Sequence, residues 1–371
     1  MKIMCENHIL QSACATAARA VASKSPIPAL EGLLIEAGAE IKITGYDLKK
    51  AIYTKVSAQV EEPGSIVVNA RFFGEMLRRM NKDGIVTIET DSNDGIKVTC
   101  GKSEFNFKGS SADDYPELPD VDGMKHISLP QNILKSLIDQ TIFAVSTNDM
   151  RPIYTGSLFE IEGDKLNLVS VDGYRLAKRT EVLENTDIGD CSFVVPGNAL
   201  SDIERICEDS DDQVKISVGE KHISFAIDDT VVITRRLEGE FLNYKKAIPE
   251  TFRIKLQLEK IELLEIISRV SLMVGDKNSS PVRMIFGDGK IDCLCMTPLG
   301  KAEDVCLCEG SGEGLEIGFN DRYVTDALKA SGTDKLVICL NTPSSPCVIE
   351  AADGSGKFTY MILPVRLRAG D

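Results

Sequence analysis

The chain has 371 residues, 43% of them hydrophobic, which is ample for a buried core and predicts roughly two to three domains. Its formal net charge of −15 argues against a general affinity of the outer surface for anionic membranes or nucleic acid, while leaving room for a local basic surface facing inward. The first twenty residues carry polar groups throughout, no stretch approaches the ~18 consecutive apolar residues of a membrane span, and 11 Cys are spread along the chain; these features predict a cytoplasmic protein without a signal peptide, with reduced thiols and no membrane partner.

In chain order, the first apolar helical pattern is HILQSACATAARAVASK from His8. Next, a short apolar strand runs into IVVNARFFGEMLRRM, where Phe72, Phe73, Met76, Leu77 and Met80 share one helical face and Asn69 stands at the start. DSNDG from Asp91 lacks the fifth position and closing Glu of a calcium loop and reads as a turn. Both helical patterns then return. NILKSLIDQTIFAVSTN from Asn132 and KIELLEIISRVSLMVGDK from Lys260 repeat the first, and FVVPGNALSDIERIC and EIGFNDRYVTDALKA repeat the second. Val21, Val145 and Val270 fall at matching places, so the period is about 124 residues. Alternating strands lie between the helices, as in LFEIEGDKLNLVSV with a hairpin turn at Gly163–Asp164 and VKISVGEKHISFAI with a turn near Gly219. A period this long means whole domains, not a solenoid. The expected boundaries are 1–124, 125–249 and 250–371, each an α+β unit of two helices on antiparallel strands.

Catalytic constellations are missing from this pattern. His8, His126 and His222 sit at unrelated positions. GDGK at 287–290 and GSGK at 354–357 lack the spacing of a phosphate loop and read as hairpin turns. EDSDD at 208–212 reads as a solvated loop. Cys293 and Cys295, with Cys306 and Cys308, flank a turn expected around Gly300–Lys301, which would set Cys293 opposite Cys308 and Cys295 opposite Cys306. Four thiolates hold zinc in other settings, but the repeat equivalents of Cys293 are Leu168 and Ile43, so core packing is the favoured reading and no metal or cofactor is expected. A thiol- or zinc-dependent hydrolase would need a general base near these Cys, and none is seen. The chain closes on KFTYMILPVRLRAGD, whose apolar run is unusual for an exposed end.

Two stretches, LVSVDGYRLAKR at 168–179 and TYMILPVRL at 359–367, together with NARFF, GFNDRYV and the three-copy layout, resemble the bacterial sliding clamps, the β subunits of DNA polymerase III. The resemblance spans essentially the whole chain. It implies three DNA-clamp domains per subunit and a head-to-tail homodimer forming a six-domain ring. Helices would line the hole, double-stranded DNA would pass through it, and the protein would be a non-catalytic processivity factor. It also implies a hydrophobic pocket between the second and third domains. There, short linear motifs of polymerase, clamp loader and repair proteins would dock. Matched by motif, the pocket would use Gly173, Tyr174, Arg175 and Leu176, flanked by Tyr154, Val171, Leu242 and Lys246. The third domain would supply Asn320, Tyr323, Met361, Ile362, Leu363, Pro364, Val365, Arg366 and Leu367. Arg175 and Arg366 would be free to pair with an incoming peptide.

The same resemblance assigns DNA contact to Lys24, Arg71, Asn148 and Arg151, and the subunit interface to Phe105 and Phe107 against Met273 and Val274. Three features depart from the family. Arg368, Ala369, Gly370 and Asp371 extend past the usual Arg-Leu end; Pro152 and Ile153 stand where Tyr is common; and NALSDIERICEDS is net acidic where NARFFGEMLRRMNK is basic. The rival reading is an acidic peptide-binding scaffold that does not encircle DNA.

Overall fold

The computed structural model describes residues 1–121, 125–148, 150–184, 189–274 and 281–367. The boundary at 124, Asp149 of the 147–151 loop and the 368–371 extension lie outside the described residues. The first repeat runs β1 (Lys2–Glu6), α1 (Asn7–Ala17), β2 (Gly32–Ala37), β3 (Ile41–Tyr46), β4 (Lys50–Val56), β5 (Gln59–Glu62), β6 (Gly64–Asn69), α2 (Ala70–Arg79), β7 (Ile85–Thr90), β8 (Gly95–Cys100) and β9 (Ser103–Lys108). The second runs β10 (Lys125–Pro130), α3 (Gln131–Asp139), β11 (Gly156–Glu162), β12 (Lys165–Val171), β13 (Arg175–Val182), β14 (Cys191–Pro196), α4 (Gly197–Ile206), β15 (Gln213–Val218), β16 (His222–Ile227) and β17 (Thr230–Arg235). α5 (Tyr244–Ala247) closes the second, and the third runs β18 (Ile254–Glu259), α6 (Lys260–Val270), β19 (Val282–Thr297), β20 (Gly300–Phe319), α7 (Asp321–Ala330), β21 (Lys335–Leu340), β22 (Cys347–Ala351) and β23 (Phe358–Ile362).

The sheets cut across the repeats. A five-stranded sheet is ordered β5-β1-β7-β8-β9, and an eight-stranded sheet β10-β15-β16-β17-β4-β3-β2-β6. The seam in the latter is β17 on β4, with Val232 opposite Ile52. A ten-stranded sheet is ordered β14-β11-β12-β13-β23-β22-β21-β18-β20-β19, with its seam at β13 on β23, where Leu176 faces Met361. The second repeat thus lends strands to both of its neighbours. Two compact units follow from this: Met1–Lys135 with Ser201–Arg236, and Ser136–Leu200 with Leu237–Asp371.

Local chemistry explains the helices. The side chain of Asn69 caps α2 by accepting from the Phe72 amide, and that of Asn320 caps α7 by accepting from Arg322 and Tyr323. Buried Asn7 ties α1 to α2 by donating to the carbonyls of Leu77 and Asn81, both at 3.0 Å. Phe73, Met76 and Leu77 enter the core with Leu10, Ile35 and Ile88. Phe72 does not; it lies outside, edge-on to Phe107 at 5.1 Å.

Two expectations are corrected in the third repeat. GDGK at 287–290 is not a hairpin turn but a bulged stretch inside β19, where register slips on either side of Asp288 absorb Gly289 at φ +69°. The turn that joins β19 to β20 is Pro298–Leu299, with Thr297 opposite Gly300, a tighter and earlier reversal than Gly300–Lys301. Cys293 therefore faces Asp304 and Cys295 faces Ala302, not Cys308 and Cys306. Cys293, Cys295 and Cys306 pack into the core of this repeat.

Candidate functional site

The DGYR turn is built by its first residue. One oxygen of Asp172 accepts from the backbone amides of Tyr174 and Arg175 at 2.9 and 3.0 Å, closing an Asx-type turn. Gly173 at its apex has φ +96°, which only glycine adopts without strain. The turn leaves Tyr174 63% exposed and aims Arg175 inward. Arg175 Nε donates to Asp172 at 2.9 Å, and its Nη1 reaches Asp326 of α7 at 2.6 Å. Its guanidinium lies 4.5 Å from the ring centre of Tyr323 and 5.4 Å from that of Phe143. Arg175 is thus engaged on every side within the fold, whereas Arg366 is exposed.

Beside this turn lies an apolar floor. Val171, Leu176 and Met361 cluster with Leu158, Val194, Tyr244, Cys339 and Val348, and Tyr154, Phe241 and Leu363 pack against it from the rim. Leu242 and Lys246 are exposed next to it. Strand alternation sends Ile362 to the opposite face, into the core with Phe358 and Tyr360, so its side chain is not part of this floor. Asn320 is spent on the α7 cap. The tail after β23 is fixed by two backbone bonds, Leu363 to Tyr174 at 2.9 Å and Val365 to Gly318 at 2.8 Å. A Cβ on Gly318 would meet the Val365 carbonyl and the Leu367 side chain at 2.9 and 2.7 Å, so glycine is what lets the tail lie there.

The first repeat builds the same turn. Asp47 accepts from the amides of Lys49 and Lys50 at 2.9 and 2.7 Å, Leu48 takes φ +70° at the apex, and Lys50 pairs with Asp202 of α4. Arg19 adds a second contact to Asp202 at 3.6 Å. Lys50 and Asp202 thus occupy the repeat positions of Arg175 and Asp326, a correspondence available from the period of the sequence. There the adjoining apolar cluster of Tyr46, Ala51 and Ile233 is joined by Tyr115, Leu118 and Val121 from the chain's own connecting segment.

Lys24 and Arg71 are exposed, Arg71 in the first turn of α2. Asn148 is exposed and holds a local turn by accepting from the Met150 amide, and Arg151 lies 5.8 Å from the Tyr154 ring centre. Phe105, 38% exposed, and Phe107 sit on β9 at the edge of the five-stranded sheet. Met273 and Val274 pack against the third-repeat core, while Leu272, which the sequence pattern did not single out, is 83% exposed at the end of α6.

No cluster of three or more metal-ligating side chains is found among the described residues. Burial pushes the thiol of Cys306 up to about 12 and that of Cys293 further still, which disfavours the thiolate that nucleophilic chemistry requires. No helix among the described residues is long and apolar enough to cross a membrane.

Comparison with known proteins gives a consistent result. Residues 1–119, 128–243 and 245–366 match family profiles described as the N-terminal, central and C-terminal domains of the DNA polymerase III beta subunit. A protein named beta sliding clamp from Synechococcus elongatus is 30% identical, with all of both chains covered. One of that name from Staphylococcus epidermidis is 31% identical over 94% of each chain. Among solved structures, a DNA polymerase sliding clamp from Bacillus subtilis superposes with a TM-score of 0.95 at 29% identity, covering 99% of this chain and 100% of the other. A putative DNA polymerase III beta subunit from Eubacterium rectale gives 0.94 at 34% identity, with the same coverage.

Proposed function

Because the chain belongs to the DNA polymerase III beta subunit family, we propose that two copies close head to tail into a ring that encircles duplex DNA and tethers the replicative polymerase. It acts in the cytoplasm without catalysing a reaction of its own, and its clamp domains are 1–124, 125–249 and 250–371. The observation that carries this reading is the match of three successive clamp-domain profiles along one chain. The repeated joint supports it: the turn-borne cation of one repeat meets the helix Asp of the next within each compact unit. In the third repeat, Leu299 at the matching turn is 78% exposed, and β9 of the first repeat has a bare edge among the described residues. A second copy would cover both. Val171, Leu176, Met361 and Leu363 then form the docking floor for linear motifs of polymerase, clamp-loader and repair proteins, with Tyr154, Tyr174 and Leu242 around it.

The experiment is retention on DNA. Protein placed on nicked circular duplex by a clamp loader is expected to stay bound through gel filtration at high salt and to fall off once the circle is cut. Equal retention on linear and circular DNA would remove the topological mechanism. The mass in solution should be twice the 40.5 kDa of one chain.

A further inference from the structure

On the outer side of the docking floor, the face of β12 and β13 that carries Val171 and Leu176 continues along the strands. Successive same-face rows are Val171–Leu176, Val169–Lys178, Asn167–Thr180 and Lys165–Val182. Lys178 is one such step from Leu176, about 7 Å at the usual strand rise. Beyond it opens a cavity of about 590 Å³ lined by Lys165, Lys178, Thr180, Tyr244, Lys245 and Lys357, among others. Tyr244 belongs to both places: it packs in the apolar floor and walls the cavity.

The charges in this cavity are unbalanced. Its carboxylates are already committed: Glu162 to Lys245 at 2.5 Å, and Glu181 to Arg179 at 2.8 Å. Glu160, nearby, is held by Lys245 at 3.1 Å and by the Tyr244 hydroxyl. Lys165, Lys178 and Lys357 have no carboxylate within ion-pair distance among the described residues. Glu160 and, more weakly, Glu350 draw on Lys178, and Asp353 on Lys357, all beyond ion-pair distance. Lys178 is half-buried, and burial, opposed by the charge of Glu160 and added to by Lys245 and Lys165, holds its ammonium below the ordinary lysine range. Three cations converging on one cavity, in a chain of net charge −15, are relieved by an anion.

We propose that this cavity is an acidic-residue subsite of the docking pocket: a partner peptide seats its apolar side chains on Val171, Leu176 and Met361 and places a flanking Asp or Glu, a few residues along, among Lys165, Lys178 and Lys357. The proposal rests on the pocket reading above. The spacing along the strand sets the reach, since one residue of extended peptide spans about 3.4 Å. The subsite would then select among competing motifs with similar apolar residues by their flanking charge.

The test uses the full chain and two fluorescein-labelled peptides. Both carry Leu and Phe as their apolar residues. One has a run of Asp on both flanks and the other has Asn in its place. Fluorescence anisotropy at low salt is expected to show the Asp peptide binding about tenfold tighter, with the advantage shrinking as salt is raised. In Lys178→Gln/Lys357→Gln the ratio should fall toward one, while Lys301→Gln, in another part of the third repeat, should keep the wild-type ratio. If the double variant does not fold, Lys165→Gln on the cavity rim is read in the same way. Equal affinities in the wild type, or an Asp advantage that survives Lys178→Gln/Lys357→Gln, would overturn the subsite and leave the pocket standing. Failure of both peptides to bind would overturn the pocket and the subsite together.

Discussion

Lys50 and Asp202 are an ion pair with side-chain exposures of only 7% and 12%. Removing one member of such a pair leaves a desolvated charge behind, which costs more than the pair itself contributes. Lys50→Met should therefore lower stability by about 3 kcal/mol, tempered by Arg19 remaining beside Asp202. Lys50→Met with Asp202→Leu should recover most of the loss. Calorimetry of both variants decides it, and equal melting profiles for the single and double variants would contradict this account. Lys178 shows the opposite sign. Burial depresses its pKa, so the charged form is less favoured in the folded chain than in the unfolded one. That deficit is present at neutral pH and vanishes as pH rises past the ordinary lysine value of 10.5. Lys178→Met should raise the melting temperature at pH 7, with the gain absent near pH 11. At this scale the sequence was legible where a side chain acts on its own neighbours. Asn69, expected at a helix start, caps α2 by a bond to a residue three along. The parity of a strand is not local, and Ile362 points away from the floor that the continuous run Met361–Leu367 suggested.

Strand and helix ends carry the surfaces that remain to be covered. β9 ends a sheet with no strand beyond it among the described residues, and its Phe105 is exposed. Such an edge pairs with another chain unless it is guarded. Phe105→Glu should convert the dimer to single chains at micromolar concentration, measured by light scattering on a sizing column. Leu272→Glu should do the same, whereas Met273→Leu, a volume-conserving change at a packed site, should leave the mass unaltered. Leu272 stands beside Met273 and Val274, which the family resemblance places at the interface. α6 finishes in a 3-10 turn, Ser271–Met273, whose side chains advance by a larger angle per residue than those of the helix before it. An apolar stripe continued at helical spacing past Val270 therefore does not by itself single out Leu272. Glycine punctuation misleads for a related reason: Gly287 and Gly289 permit a bulge as readily as a turn, and the long pairing of β19 with β20 decides between them.

For the whole molecule, the period of about 124 residues made the three units visible in the sequence, because each copy repeats its own apolar pattern. The sharing of sheets between copies was not visible, since the seams join β4 to β17 and β13 to β23 and depend on pairings far apart in the chain. A net charge of −15 with few cations assigned to the duplex predicts weak contact with DNA and a modest salt dependence. On short linear duplex, binding at low salt should be weak and should fall a further few-fold in Arg71→Glu; retention on circular DNA after loading should change far less. Titration of labelled duplex at two salt concentrations makes the comparison.

The shared sheets also impose a timetable on the nascent chain. When the first repeat leaves the ribosome, β4 has its inner partner β3 but not its outer one. β17 begins at Thr230, so at ~5–20 residues per second the bare edge waits about 10–35 s for its neighbour. During that interval Ala51 and Ile52, buried in the finished protein, border an open strand. The β13 edge meets the same delay until β23 is made. Synthesis that stalls within the second repeat therefore strands an aggregation-prone intermediate, and a chaperone that shields strand edges would act on this protein before any partner motif or DNA does.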